Sequence, residues 1–295
     1  MRAPSARPGR GDRRARGRGD RRTCARRDPR RLRYDWLAGS ALDRPRLPGD
    51  IDDAGGAVAR WVFVEADAAP ESAFEEARRA EEPAWPGPAA TVVAADLEAP
   101  DAGERIERVA GLPLVRGIRQ LLQDLPGERL AAPALRRGLA AVARAGLVLD
   151  ACVRRTRLDG LDRPLGDVHE DVTVLDRLGT PPVDEGLGSD AGRARPTGLR
   201  RLARHERLVV KLSGLLAEAR DAATLRGRDP DLPRAALDLS GPERCLPGSD
   251  RPVSTGAGGR TTTAAWIALV PEVVGPTDRP RGAAGTAREV HRITD

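Results

Sequence analysis

Seven short apolar runs in this chain each give way to polar or charged side chains, and those exits are the places to look for chemistry. The runs are Trp61–Ala66, Thr91–Asp96, Val115–Arg119, Leu147–Val153, Val172–Leu175, Leu208–Leu212 and Cys245–Ser249. Their exits read Glu65, Asp96, Arg119–Gln120, Arg154–Arg155, Asp176–Arg177, Lys211 with Ser213, and Ser249–Asp250. A carboxylate at such a position can take a proton from water. A guanidinium can grip an anion with two parallel hydrogen bonds, or it can pair with a neighbouring carboxylate. For any single member, a solvated loop end is the plainer alternative. Lys211 is the only lysine in a chain with 50 basic residues. The three histidines stand apart from these exits. His169 and His205 precede strand-like runs, and His291 lies near the C-terminus, so each reads as structural.

The elements that would position these exits follow from the same pattern. The apolar runs are short, continuous and β-branched, as in strands buried on both faces of a parallel sheet. Helix-like segments lie between and after them: Pro70–Glu81, Ala102–Ala110, Pro133–Ala145, Leu199–Arg204, Leu215–Leu225, roughly Thr261–Val274 and roughly Gly282–Val290. Strand and helix alternate, which predicts βα units. The predicted fold is α/β, a single-domain (β/α)8 TIM-like barrel. In that fold the chemistry sits at the C-terminal ends of the strands. An eighth strand would have to lie before Tyr34, where the sequence is least strand-like. A spatial expectation follows: Asp176, Lys211 and Asp250 should converge in one pocket at one barrel mouth.

Composition bounds the rest. The 295 residues include no asparagine and only 2 % aromatics. Arg, Ala, Gly, Pro, Leu and Asp dominate, as GC-rich codons would favour. Net charge is +6, but residues 1–33 hold fourteen arginines against Asp12, Asp20 and Asp28 and so carry +11. The remainder is therefore acidic by five charges. Residues 1–33 read as a disordered basic tail or a mis-assigned start that can contain a degraded first strand, and residues 34–295 as the barrel. The tail has no aromatic side chain to stack on bases, which argues against nucleic acid as a partner. Cys24, Cys152 and Cys245 are isolated and odd in number. They point away from a disulfide framework and towards a reducing, cytoplasmic setting. No apolar run approaches the ~18 residues of a membrane span.

Several segments then resemble a known family in order and spacing. They are VRGIRQLLQD (Val115–Asp124), VLDRLGTPP (Val174–Pro182), VVKLSGLLAEA (Val209–Ala219), GPERCLPGSDRPV (Gly241–Val253) and GTAREVHRI (Gly285–Ile293), with YDWL (Tyr34–Leu37), VFVEAD (Val62–Asp67) and ADLEAP (Ala95–Pro100). Together they resemble the amidohydrolase-related family of metal-dependent hydrolases, in its sugar-lactonase branch. The resemblance implies a distorted TIM barrel, a single divalent metal such as Zn or Mn in many members, and hydrolysis of a lactone or related carbonyl compound. It implies that Asp250 binds the metal or takes the proton of the attacking water.

The chain departs from that pattern at its ligands. The family's first-strand histidine pair aligns with Thr23 and Ala25. Its RGIRH-type run ends in Gln120, its LDHLG-type run carries Arg177, and its SDWP-type run carries Arg251. Guanidinium stays protonated and offers no lone pair to a metal. A metal is therefore implied by the family and opposed by the residues.

Two readings of function remain. In the first, the chain hydrolyses a sugar lactone or sugar-acid derivative. Asp250 serves as base, Lys211 or Arg119 faces the developing oxyanion, and Arg119, Gln120, Asp176 and Arg177 bind substrate. In the second, the barrel is a catalytically impaired pseudo-enzyme that lost its metal-binding histidines. For Arg119 and Arg177 the alternative to substrate binding is ion pairing with Asp176 or Asp250.

Overall fold

The computed structural model describes residues 21–24, 28–40, 42–51, 53–82, 87–123, 125–167, 171–186, 198–218, 231–256, 263–264, 266 and 284–294. Eight parallel strands run in chain order: β1 (Arg21–Cys24), β2 (Arg60–Val64), β3 (Pro88–Ala94), β4 (Val115–Leu121), β5 (Val148–Cys152), β6 (Thr173–Leu175), β7 (Leu208–Leu212) and β8 (Cys245–Pro247). Each pairs in parallel with its successor. All seven strands expected from the apolar runs are present. The expectation of a disordered or mis-assigned segment over residues 1–33 falls largely outside the described residues, but Arg21–Cys24 pairs with β2. Among the described residues no pairing joins β8 to β1. The architecture is therefore a curled parallel arc of eight strands, the α/β arrangement expected, with its closure into a ring not described.

The helices on the outer face are α1 (Ala73–Ala80), α2 (Ala102–Ala110), α3 (Pro133–Arg144), α4 (Leu158–Asp167) and α5 (Asp231–Ser240), and α6 (Thr286–Val290) packs against the inward-pointing side chains. Alternation along each strand divides its side chains between two cores. Val93, Ile118, Leu149, Leu175, Val210 and Leu212 point outward and pack with Ile106, Leu135, Leu139 and Leu161 of the helices. Inward-pointing Val148, Val174, Val209 and Leu246 meet Ala287 and Val290 of α6. Val62, Val64, Ala90 and Val92 meet Ile293. The C-terminal segment thus fills the inside of the curl. Each fully buried Val or Leu contributes on the order of 1.5–3 kcal/mol, so a core poor in aromatics is held by the number of its aliphatics.

Two of these six helices were not legible from the sequence. Helix α4 contains Gly160, Pro164 and Gly166, which oppose helix formation, yet Leu158, Leu161 and Leu165 are buried along one face. Tertiary burial outweighs local propensity there. Helix α5 carries Pro233 in its first turn, where the missing N–H costs little. The helix expected at Leu215–Leu225 is present as Leu215–Glu218, and its remainder lies outside the described residues. Most of the Thr261–Val274 segment does too.

Candidate functional site

Inward positions near the C-terminal ends of the strands are charged where the positions below them are apolar. Arg119 follows Gly117 on β4, Asp150 follows Val148 on β5, and Lys211 follows Val209 on β7. Asp176 follows Val174 at the exit of β6. The period of two places all four above the aliphatic layer. Arg119, Asp176 and Lys211 line a cavity of about 270 Å³ together with Glu65, Arg177 and Asp250, and Asp150 lies buried behind Lys211. Asp176, Lys211 and Asp250 converge there, as the sequence pattern required.

Three buried carboxylates meet two cations at the floor. Lys211 is 3 % exposed. Its Nζ donates to Asp150 Oδ2 and, at 2.6 Å, contacts Asp176 Oδ1. Burial opposes its charge, but Asp150 and Asp176 outweigh that and hold the ammonium above its usual range. Burial pushes the Asp150 carboxyl up to about 6, and the charge of Asp176 adds to this against the pull of Lys211. Asp176 goes the other way. Burial alone would raise it, but Lys211 and Arg119 together hold it low. Arg119 Nε donates to Glu65 Oε1, its Nη2 to the Glu65 carbonyl at 2.7 Å, and its Nη1 reaches Asp176 Oδ2 at 3.5 Å.

A second pair sits nearer the mouth. Arg177 Nη2 donates to Asp250 Oδ2 at 3.2 Å, and Ser254 Oγ donates to the same oxygen at 2.7 Å. Glu218 lies 3.9 Å from Arg177. Asp250 holds the Arg177 guanidinium above its usual pKa, against the cost of burial. Both partners have left-handed backbones: Arg177 has φ 54° and Asp250 φ 49°. Leu178, Gly179 and Thr180 continue the left-handed run after Arg177. Such conformations cost of order 1 kcal/mol or more per non-glycine residue and persist where surroundings enforce them, often at functional sites. Gly214 makes room for this turn. A Cβ there would fall 2.8 Å from Arg177 Cβ.

The arginines thus adopt the ion-pairing arrangement with Asp176 and Asp250. Gln120 does not join the cluster. Alternation turns it away from Arg119, and its Oε1 accepts the Leu97 N–H at 3.1 Å. It lines a neighbouring cavity of about 620 Å³ with Asp96 and Phe74. Asp150 and Trp36 are the components that the strand-exit pattern overlooked. Asp150 was visible as the lone charge inside the apolar run Leu147–Val153.

The donor set does not suit a metal. Among the described residues no three His, Cys, Asp or Glu side chains group to hold one. Of the carboxylates that line the cavity, Glu65, Asp176 and Asp250 are taken up by Arg119, Lys211 and Arg177, which leaves Asp67, and among the described residues no histidine lines it. His205 pairs with Asp162 at 2.9 Å, away from the cavity. His291 is fully buried with both ring nitrogens unpartnered, and burial pushes it down to about 3. His169 lies outside the described residues. Cys152 and Cys245 are unpaired and buried, and burial pushes the Cys152 thiol up to about 12. No helix among the described residues is long and apolar enough to cross a membrane.

Comparison with known proteins agrees with this fold. The family model described as Amidohydrolase matches residues 25–293. An L-fucono-1,5-lactonase of Burkholderia ambifaria is 33 % identical over 210 residues, 70 % of this chain and 71 % of that protein. A crystal structure of an amidohydrolase from Burkholderia multivorans with bound HEPES superposes with a TM-score of 0.82 at 27 % identity, covering 94 % of this chain and all of that one. A second crystal form of an amidohydrolase from the same organism, with bound zinc, gives 0.80 at 26 % identity over the same shares. A match that spans nearly the whole chain, together with the shared arc of strands, places this protein in the amidohydrolase family.

Proposed function

We propose that the chain is a hydrolase that opens a sugar lactone or a similar small cyclic ester, without metal, at the cavity between Asp250 and Lys211. The observation that carries this reading is the convergence of Asp250, Arg177, Lys211 and Arg119 in one cavity at the strand exits, in a chain similar to an L-fucono-1,5-lactonase. Arg177 and Ser254 both donate to Asp250 Oδ2, which leaves Oδ1 as the base. Water attacks the lactone carbonyl carbon while Oδ1 takes its proton. The carbonyl π electrons move to oxygen, and that oxyanion is met by Lys211 or Arg119, preorganised by their carboxylate partners. When the oxyanion collapses, the ring C–O bond breaks, the ring oxygen takes the proton from Asp250, and a hydroxy acid leaves. Asp176 and Asp150 hold Lys211 in place. Lys211 contacts Asp150 and Asp176, so one of its three N–H donors remains for the substrate.

One observation favours a second reading. The Arg177 guanidinium sits on Asp250 at 3.2 Å, which is how an acidic site that had lost its metal would be neutralised in a pseudo-enzyme. The two readings separate on a panel of aldonolactones assayed by acid release before and after chelator treatment. The hydrolase reading requires turnover of at least one lactone that survives the chelator. No turnover above the spontaneous rate for any of them favours the pseudo-enzyme.

A further inference from the structure

The ion pairs do not explain one wall of the cavity. Trp36 lines it and is 38 % exposed. Among the described residues the other exposed large apolar side chain is Leu47. The indole is held in place: its Nε1 donates to the Ala66 carbonyl at 2.9 Å, immediately after Glu65. Its neighbours Tyr34 and Leu37 are buried against Leu32, Ala66 and Ala68, so the backbone on both sides is anchored. Leaving an indole in water forgoes roughly 25 cal/mol per Å² of burial. In a chain with 2 % aromatics, a fixed and exposed ring at the mouth of a charged cavity calls for a ligand face to cover it. Pro252 and Val253 also line this cavity and are apolar.

We propose that Trp36 is the platform on which the substrate ring lies. This deepens the lactonase reading and rests on it. A sugar lactone has a face of C–H bonds and an edge of hydroxyls. The indole π surface suits the first, and the Asp250, Arg119 and Lys211 groups suit the second. An acyclic ester offers no such face. Trp36 would therefore favour ring lactones over open esters and position the carbonyl for attack.

The test uses the full chain and an aldono-1,5-lactam, a ring isostere whose amide resists hydrolysis, titrated by calorimetry. Trp36→Ala should weaken binding about tenfold, the size of one aromatic contact, whereas Trp36→Phe should stay near wild type. On ring lactones Trp36→Ala should raise KM, and by more than it does for ethyl acetate, an acyclic ester without a ring face. Equal lactam affinity in wild type and Trp36→Ala, or no lactam binding by wild type, would overturn the proposal. Trp36-dependent lactam binding without lactone turnover would support the platform and defeat the hydrolase reading. Lactone turnover indifferent to Trp36 would do the reverse.

Discussion

Arg177 and Asp250 form an ion pair at 3.2 Å between two residues that both hold left-handed backbones. The left-handed region is costly for an arginine and less so for an aspartate, so the fold spends stability chiefly at Arg177 to bring them together. Both are largely buried, at 19 % and 15 % side-chain exposure, so the pair is better shielded from water than a surface bridge. A double-mutant cycle with Arg177→Ala and Asp250→Ala, read by urea unfolding, should return a coupling on the order of 1 kcal/mol. Strict additivity would mean that the contact contributes nothing in solution.

Lys211 holds the floor together. Removing its charge leaves Asp150, 0 % exposed, without a cation, and Asp176, 1 % exposed, with Arg119 at 3.5 Å. Lys211→Met should cost about 3–5 kcal/mol. Adding Asp150→Asn to that variant should recover part of the loss, because one buried charge is then gone. A Lys211→Met variant as stable as wild type would show that the carboxylates find other partners.

Gly214 lets Arg177 approach. Its φ is +80°, and a Cβ would meet the Arg177 side chain at 2.8 Å. Gly214→Ala should destabilise by about 1–3 kcal/mol. Proton NMR or circular dichroism would confirm that the rest of the fold persists. An unchanged melting temperature would contradict the packing described.

Stability should also depend on pH through Glu76. Burial, reinforced by the charge of Glu65, pushes this carboxyl up to about 8 from an ordinary value of 4.5. It accepts hydrogen bonds from the Tyr34 hydroxyl at 2.8 Å and from the Ala66 N–H at 3.2 Å. Folding therefore takes up a proton between these two values. The contribution is fully present below about 4.5 and is lost as pH rises through 8. Glu76→Gln should flatten unfolding free energy against pH over that window. A profile identical to wild type would place the titration elsewhere.

The fold was readable because each buried strand announces itself as a short apolar run between helical segments. The site was readable in part. Asp176, Lys211, Arg119 and Asp250 stand at strand exits, where a parallel α/β arc collects its chemistry. Gln120 shows the limit of that rule: one residue beyond Arg119, the alternation of the strand carries it into the next cavity. Asp150 was missed because it lies within a strand, and its role depends on Lys211 sixty-one residues away. Helix α4 was missed because its glycines and proline speak against a helix, while the burial of its leucines is a tertiary fact. The choice between gripping a substrate and pairing with a carboxylate, left open for Arg119 and Arg177, needed distances.

The lactonase reading turns on Asp250, and the most direct measurement is aldonolactone hydrolysis by metal-stripped wild type and Asp250→Asn, both checked for metal content and folding. Wild type should turn over at least one ring lactone without metal, and Asp250→Asn should lose on the order of a hundredfold in kcat, the lower part of the range for a general base. Lactone hydrolysis that Asp250→Asn retains in full, or that wild type shows only after zinc is restored, would contradict it.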